Sequence, residues 1–471
     1  MNPPPPPPLL ADALPTRPVG RRWHSLVTGR RSRALILLAA LSVVSFGARI
    51  AWIGEPCRAQ CNTASGHVLI FDERYYVNAA RVIAGLHPPA GSPYAGLPAG
   101  VDPNSEHPQL VKLVMAGAIE RFGDGPFAWR IGSILAGSIA ILGMFALVLA
   151  AGGTEWQALG ASTLMALDTM LLVNSRIGTL DVYAVAAAVW AGALYLRGRP
   201  LAAGALIALG ACAKEVASFV LLAFAAIELL RWVLARGGAP QPWSARLATR
   251  RLALSITSAV TVFLGLLELL DRIAPPYDPA THKVLSGGPL QHVAHILSYA
   301  SRLTSPHAPK GIASYPWQWL ADYKPISYLV INPSKPAPGL AHIRPEVHFL
   351  GLISPPILLA ALAGLVVSGV SVLRRRSRRR SAGVPTGGDE LAVLSLAWVA
   401  GTWLPFVFLS LIASRTSYLY YMTLVMPGMY TAVMHLTDRH RPGRRVAGGF
   451  AVLVLLAAIA LYPFTPLPFG W

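Results

Sequence analysis

The sequence predicts an all-α polytopic protein of the cell membrane, with about eleven transmembrane helices and two long extracytoplasmic loops. Of its 471 residues, 54% are hydrophobic and only 13% are charged, and the mean hydropathy is +0.50. A soluble domain would carry about 25% charged residues. Apolar runs of about 18 residues or more recur from end to end, a length that spans a bilayer as a helix. Basic clusters fall between these runs, as the positive-inside rule expects of cytoplasmic loops.

The apolar runs define the predicted spans and their orientation. They lie near residues 33–53, 127–150, 156–174, 181–196, 200–213, 216–235, 252–270, 349–373, 391–413, 417–436 and 446–463. The first run follows a basic region and lacks a small-residue cleavage site, which is typical of an uncleaved signal anchor. With the N-terminus in the cytoplasm, alternate loops also place four basic clusters there, beginning at Arg197, Arg246, Arg374 and Arg439.

This topology divides the chain into three parts. Residues 1–30, which open with six prolines, are predicted to be a disordered cytoplasmic tail. Residues 31–463 form the transmembrane domain, whose loops at about 54–126 and 271–348 lie outside the cytoplasm, and 464–471 form an extracytoplasmic tail. Cys57 and Cys61 in the first loop are predicted either to form a disulfide or to remain free thiols.

The formal charge of +19 does not indicate a nucleic-acid partner. The basic runs are short loops without interleaved aromatic residues, unlike a nucleic-acid-binding surface. The predicted partner of these charges is the lipid bilayer.

Two adjacent acids, Asp72 and Glu73, are the leading catalytic candidates. They lie just past the first span, in a loop whose neighbouring apolar residues predict a short helix at the membrane surface. A carboxylate there could take the proton of an attacking hydroxyl, while the other orients the acceptor or a metal ion. The alternative is that both acids pair with Arg74 and Arg81 at the surface.

A second polar cluster follows at Glu106, His107 and Lys112. Pro108 is predicted to begin a helix, with Lys112 about one turn in. Lys112 is predicted either to bind a phosphate or to extend to the lipid headgroups. His107 is expected to fix the loop rather than bind a metal. No cofactor is predicted with certainty and no metal-ligand set is apparent, although a divalent metal ion is left open.

Further charged residues mark the outer ends of the spans. They are Arg130, Arg176, Asp181, Lys214, Glu215 and Arg415. Charge at membrane depth is expensive, so these residues are functional candidates. The alternative for Lys214 is an ion pair with Glu215 or Asp181. In the second loop, Trp317 and Trp319 are predicted to anchor the membrane interface, in preference to forming a platform for a sugar or peptide.

The order of these motifs resembles bacterial relatives of the protein O-mannosyltransferases. The matching segments are FDERYY (71–76), DPNSEHPQLVK (102–112), FGDGPFAWRI (122–131), SR and LD (175–176 and 180–181), PWQW (316–319), YY (420–421) and Pro427. The resemblance covers about residues 30–463. The chain departs from the family at Gln109 and Val111, where the family has proline and glycine, and at Glu215, where it has tryptophan.

The resemblance implies a C-type glycosyltransferase fold with an outward-facing active site. It also implies a polyprenyl- or dolichyl-phosphate mannose donor and inversion of the anomeric centre. It implies that Asp72 is the acid-base group with Glu73 as its partner, and that Arg130 binds the donor phosphate, with Lys112 and Lys214 as weaker candidates. The favoured acceptor is Ser or Thr of a secreted protein, followed by an envelope lipid or polysaccharide. A transporter or flippase of lipid-linked sugar, or a non-catalytic binder, is the alternative.

Overall fold

The computed structural model describes residues 29–57, 66–236, 244–331, 347–377 and 387–465. Most of the predicted N-terminal tail (1–28), most of the C-terminal tail (466–471) and Cys61 lie outside these described residues. Cys57 is disulfide-bonded. Cys212 is a buried free thiol.

Helices dominate the described chain. In order they are α1 (Gly29–Ile50), α2 (Glu73–Ile83), α3 (Leu110–Phe122), α4 (Pro126–Ala150), α5 (Glu155–Leu167), α6 (Thr169–Asn174), α7 (Asp181–Leu196), α8 (Pro200–Ala213), α9 (Val220–Arg236), α10 (Ala245–Ile273), α11 (Gly288–Arg302), α12 (Pro355–Ser377), α13 (Gly387–Ala413), α14 (Met422–His440) and α15 (Arg444–Ala460). Two small antiparallel sheets accompany them, β1 (Tyr277–Asp278) with β2 (Lys283–Val284) and β3 (Ile326–Ile331) with β4 (Val347–Gly351).

The chain is a multi-pass membrane protein. Six segments of the described chain are long and apolar enough to cross a bilayer, at 33–50, 126–150, 215–235, 245–273, 355–374 and 390–413. The apolar helices α7 and α8 are shorter. The predicted count of about eleven spans therefore stays a prediction, although a helix lies in each of the eleven predicted regions.

Two predicted spans differ from the observed elements. The span predicted at 156–174 is divided at Asp168, whose carboxylate accepts a hydrogen bond from the Met170 N–H and begins α6. The span predicted to start at 349 begins at Pro355, because proline starts a helix readily and the preceding residues of β4 pair with β3. The all-α expectation missed both small sheets.

The centre of the bundle is built around α4. In the most apolar stretch of α4, 67% is buried, against 17–33% in the other five long apolar segments. Small residues allow the surrounding helices to approach closely. At Gly204 of α8, a Cβ atom would lie 2.2 Å from the Ser255 carbonyl oxygen of α10. This contact is typical of helix packing in membranes, where small residues bring backbones together.

The segment between α1 and α4 folds onto this bundle through α2 and α3. Tyr76, Val77 and Ala80 of α2 are buried against α3 and against Trp129 of α4. The helix predicted next to the acid pair is therefore present, and its apolar face packs on protein. This packing fixes the N-terminus of α2, where Asp72 lies, against one end of the bundle.

Candidate functional site

At the first turn of α2, the side chains of Asp72 and Glu73 lie in different environments. Phe71, just before them, has a φ of +54°, a conformation that costs a non-glycine residue of order 1 kcal/mol or more. Its ring packs against Tyr328, with ring centroids 4.5 Å apart. After this turn Asp72 lines a cavity, whereas Glu73 is fully buried behind the cavity wall.

The cavity has a volume of about 630 Å³, within the usual range for a small-molecule site. Its wall combines charge with aromatic rings. The charged lining residues are Asp72, Arg74, Glu106, His107, Lys214, Glu215 and Arg415. The aromatic lining residues are Phe71, Tyr75, Tyr76, Tyr299, Tyr328, Tyr418, Tyr420 and Tyr421. The first loop, the segment after α8, α11 and the segment after α13 therefore meet at one site.

Asp72 is suited to act as a base at neutral pH. Burial raises the pKa of its carboxyl to about 6, and Asp181 adds to this effect, while Lys214, His107 and Arg74 oppose it. Its carboxylate forms no hydrogen bond or ion pair with another described residue. The group is thus mostly ionised at pH 7 and close to the pKa that general-base catalysis favours.

Lys214 presents a cation to the same cavity. Its Nζ donates a hydrogen bond to Asp181 Oδ1 at 2.7 Å, so the predicted alternative of an ion pair with Asp181 is observed. The ammonium also lies 4.7 Å from the ring centroid of Tyr420 and 5.1 Å from that of Tyr421. An ammonium has three N–H donors, and among the described residues only Asp181 accepts a hydrogen bond from this one.

Arg415 is another cation of the cavity with N–H groups open to a ligand. Its Nη1 donates to the carbonyl oxygen of Ala300 at the end of α11. The side chain is half-buried, and no other hydrogen bond of its guanidinium to a described residue is found. The remaining N–H groups can therefore reach a bound anion.

His107 and Glu215 form a contact across the cavity rim. Nδ1 of His107 lies 3.1 Å from Oε2 of Glu215, which joins the first loop to the segment after α8. This agrees with the expectation that His107 fixes its loop.

Glu73 and Arg130 form a closed pair behind the cavity. Arg130 Nε and Nη2 each donate to one carboxylate oxygen of Glu73 at 2.8 Å. Its other N–H groups donate to the carbonyl oxygens of Ile53, Glu55 and Val68, so all five donors are used. Neither side chain lines the cavity.

Gly178 completes this pair. Its N–H donates to Glu73 Oε1 at 2.7 Å. A Cβ at this position would lie 3.0 Å from the Trp129 carbonyl oxygen, so the close approach leaves little room for a side chain.

Lys112 is likewise enclosed, and it reaches neither the headgroups nor the cavity. It is fully buried, and its ammonium donates to Asp102 Oδ2 at 2.5 Å and to the carbonyl oxygens of Asn104 and His107. All three N–H donors are used. Lys112 therefore shapes the loop that carries Glu106 and His107.

Gln109 shows what its departure from the family motif achieves. Its Nε2 donates to Asp271 Oδ1 at 2.6 Å and to the Ala274 carbonyl oxygen at 3.2 Å. Asp271 also contacts His292 Nδ1 at 2.7 Å, and the opposite ring nitrogen of His292 lies 3.0 Å from the Ser105 carbonyl oxygen. This network joins the first loop to α10 and α11. Sequence analysis missed Asp271 and His292, which carry no local motif.

Two other expectations, for Arg176 and Arg81, are resolved by the geometry. Arg176 donates to the carbonyl oxygens of Ala48 and Ala51 and to the Tyr462 hydroxyl, so it joins chain segments away from the cavity. Arg81 pairs with Asp124 at 3.0 Å, not with the acid pair.

The prediction that both tryptophans anchor the interface is wrong for Trp319. That side chain is 1% exposed, and its ring packs against Phe406 and Tyr421 in the core, whereas Trp317 is 41% exposed. Within the described residues, no group of three or more His, Cys, Asp or Glu side chains could hold a metal ion.

Comparisons with known proteins agree with this architecture. No family model matches the chain. A polyprenol-phosphate-mannose–protein mannosyltransferase of Corynebacterium glutamicum is 31% identical over 193 residues, and the alignment covers 39% of this chain and 33% of that protein. The chain therefore matches about a third of that relative's length.

Solved structures extend the likeness over nearly the whole chain. The S. cerevisiae protein O-mannosyltransferase Pmt1-Pmt2 complex bound to the sugar donor matches with a TM-score of 0.63 at 13% identity, covering 92% of this chain and 90% of that one. ArnT from Cupriavidus metallidurans bound to undecaprenyl phosphate matches with a TM-score of 0.52 at 16% identity, covering 91% and 64%. The predicted C-type glycosyltransferase fold is thereby confirmed.

Proposed function

We propose that this chain is a membrane glycosyltransferase that moves a hexose, with mannose the first candidate, from a polyprenyl-phosphate donor to an external hydroxyl group. The observation that carries the proposal is the unpaired carboxylate of Asp72 in one cavity with Lys214 and Arg415. The names of the mannosyltransferase relative and of the donor-bound structural match support this donor class.

Asp72 is the proposed catalytic base. Its carboxylate takes the proton of the acceptor hydroxyl while that oxygen forms a bond to the anomeric carbon of the sugar. The bond between the anomeric carbon and the phosphate oxygen breaks, and polyprenyl phosphate leaves with the electron pair. A single displacement from the opposite face inverts the anomeric centre.

Lys214 and Arg415 are the proposed donor-phosphate ligands. Negative charge grows on the phosphate as the glycosidic bond breaks, and fixed cations in a partly dry site stabilise that charge. Both side chains line the cavity with N–H groups to spare, whereas Arg130 and Lys112 use all of theirs within the protein. We therefore keep Lys214 as a phosphate ligand, add Arg415, and no longer assign this role to Arg130 and Lys112.

The proposed orientation has a cytoplasmic N-terminus and an extracytoplasmic cavity. It rests on the basic loops at Arg197, Arg246, Arg374 and Arg439, which would then share the cytoplasmic side. A cysteine placed near Arg415 should react with a membrane-impermeant thiol reagent applied to intact cells, and one placed at Arg439 should not.

The proposed acceptor is Ser or Thr of a secreted protein, as the name of the bacterial relative suggests. An envelope lipid or polysaccharide would require the same base and the same phosphate ligands. Deletion of the gene followed by mass spectrometry of secreted proteins and envelope glycans should show hexose missing from the proteins. Loss from the glycans alone would reassign the acceptor.

The catalytic assignment is tested with Asp72→Asn in membranes given labelled polyprenyl-phosphate mannose. Loss of a general base lowers transfer by about 10²- to 10⁴-fold. Glu120→Gln is the matched control, because Glu120 is an exposed acid on α3 away from the cavity. Transfer at the wild-type rate by the Asp72 variant would refute the assignment.

The same variant separates an enzyme from a flippase or a passive binder. An enzyme without its base should still bind the lipid-linked sugar and fail only in transfer. Wild-type protein that moves the donor between leaflets without forming a glycosylated product would favour the flippase.

A further inference from the structure

Asn104 carries an unsatisfied polar atom in the cavity wall. The residue is 2% exposed and lines the cavity beside Glu106. Its Nδ2 donates to the Tyr94 hydroxyl at 3.1 Å, but its Oδ1 is buried without a hydrogen-bond partner. A buried acceptor left unpaired costs about 1–3 kcal/mol, which a bound ligand can offset.

The carboxamide would be incomplete in either orientation. If it were turned so that Oδ1 faced Tyr94, the amide nitrogen would be the unpaired atom instead. The backbone of Asn104 is meanwhile fixed, since its N–H donates to Asp102 and its carbonyl accepts from Lys112. The side chain therefore adds little to the loop's own structure and remains available to a ligand.

Glu106 provides a second open acceptor close by. Its carboxylate lines the cavity and forms no hydrogen bond or ion pair with another described residue. Burial, and then the charge of Glu106, raise the pKa of the neighbouring Tyr94 hydroxyl. Asn104 and Glu106 thus offer acceptors to a ligand that brings several O–H donors.

We infer that Asn104 and Glu106, with Tyr94 holding the Asn104 amide, form the subsite that binds hydroxyl groups of the donor's sugar. This inference rests on the proposed function. A Ser or Thr acceptor has one hydroxyl, and its proton goes to Asp72. A hexose has further hydroxyls, which supply the donors that Asn104 Oδ1 and the Glu106 carboxylate need.

The subsite is tested by binding, without turnover. Purified wild-type protein and Asn104→Ala are titrated with polyprenyl-phosphate mannose and with polyprenyl phosphate alone. The variant should bind the mannose-bearing lipid about three- to tenfold more weakly, the loss expected for one hydrogen bond, and the bare lipid as before. Tyr94→Phe removes only the hydroxyl that accepts a hydrogen bond from the Asn104 amide, so it should have a smaller effect in the same direction.

Two results would overturn the subsite. Equal weakening of both lipids would mean that Asn104 acts on the fold, and unchanged affinity for both would mean that it contacts no sugar. If Asn104→Ala does not fold, Glu106→Gln serves instead, because the Glu106 side chain bonds to no other described residue. It too should weaken only the mannose-bearing lipid. A wild-type protein that binds neither lipid would refute the proposed function and the subsite together, whereas the variant results refute the subsite alone.

Discussion

The cavity and the layer directly behind it contain similar charged side chains that differ in how fully they are hydrogen-bonded within the protein. In the cavity, Asp72 and Arg415 keep hydrogen-bonding capacity that no described residue uses. In the layer behind, Glu73 and Arg130 satisfy each other completely, and both are buried. We propose that function depends on the unpaired set, whereas stability depends on the paired set. Adjacent positions in sequence can belong to different sets.

The two adjacent acids give the largest expected contrast. Glu73→Gln leaves Arg130 buried without its counter-charge, a change that costs about 3–5 kcal/mol. Asp72→Asn should not destabilise the fold. Burial raises the pKa of the wild-type Asp72 carboxyl to about 6, so above that pH the ionised carboxylate makes folding less favourable. A neutral amide at this position removes that cost.

The check is thermal unfolding in detergent at pH 7.5, together with transfer activity, for both variants. We expect Glu73→Gln to unfold at a much lower temperature, and Asp72→Asn to be folded and inactive. A stable Glu73→Gln protein that lacks activity would instead give Glu73 the direct catalytic role that the sequence first suggested.

The two arginines should show the same contrast as the two acids. Arg415→Met removes a half-buried cation with one backbone contact, so the protein should fold while binding of polyprenyl phosphate weakens by about ten- to a hundredfold, as expected for charge-assisted hydrogen bonds. Arg130→Met leaves the buried Glu73 carboxylate without its counter-charge, so little folded protein is expected. Donor affinity by titration and the yield of monodisperse protein measure the two effects. Wild-type lipid affinity in Arg415→Met would remove Arg415 from the site.

The pH dependence of transfer tests how the cavity tunes its base. Because Asp72 must be deprotonated to act, kcat/KM should rise with pH through about 6 and then level off. Lys214 favours the ionised form of Asp72, so Lys214→Gln should raise the pKa of Asp72 and move this rise to higher pH. A profile that keeps its midpoint in Lys214→Gln would show that the two groups are not coupled.

The sequence predicted the membrane fold and the region of the site, but not the direction of each side chain. Apolar runs locate a helix in each predicted region, since the thickness of the bilayer sets the length of an apolar run that crosses it. By contrast, Asp72 and Glu73 are chemically alike, and only the turn at Phe71 separates them. Lys112 has three oxygen partners that come together only when its loop folds.

Hydrogen-bond partners that are far apart in sequence could not be predicted either, because they meet only when the chain folds. Gln109 was visible as a departure from the family motif, yet its partner Asp271 lies 162 residues away. The spacing of apolar residues along the chain does not indicate which polar side chains meet across that distance. The unpaired Oδ1 of Asn104 could be found only from coordinates, because it is defined by the missing partner of one atom.

The smallest expected effect lies at Gln109. Its side chain belongs to the paired layer, and the same loop carries Glu106 and His107, which line the cavity. Gln109→Leu removes two hydrogen bonds and leaves Asp271 in contact with His292, so we expect a loss of about 1–2 kcal/mol of stability. Because the loop carrying Glu106 and His107 would be held less firmly to α10 and α11, kcat should fall a few-fold while affinity for polyprenyl phosphate stays the same. Denaturant unfolding and steady-state transfer assays separate these effects. A fall in lipid affinity without a loss of stability would place Gln109 in the functional set, and the division between the two layers would then fail at that residue.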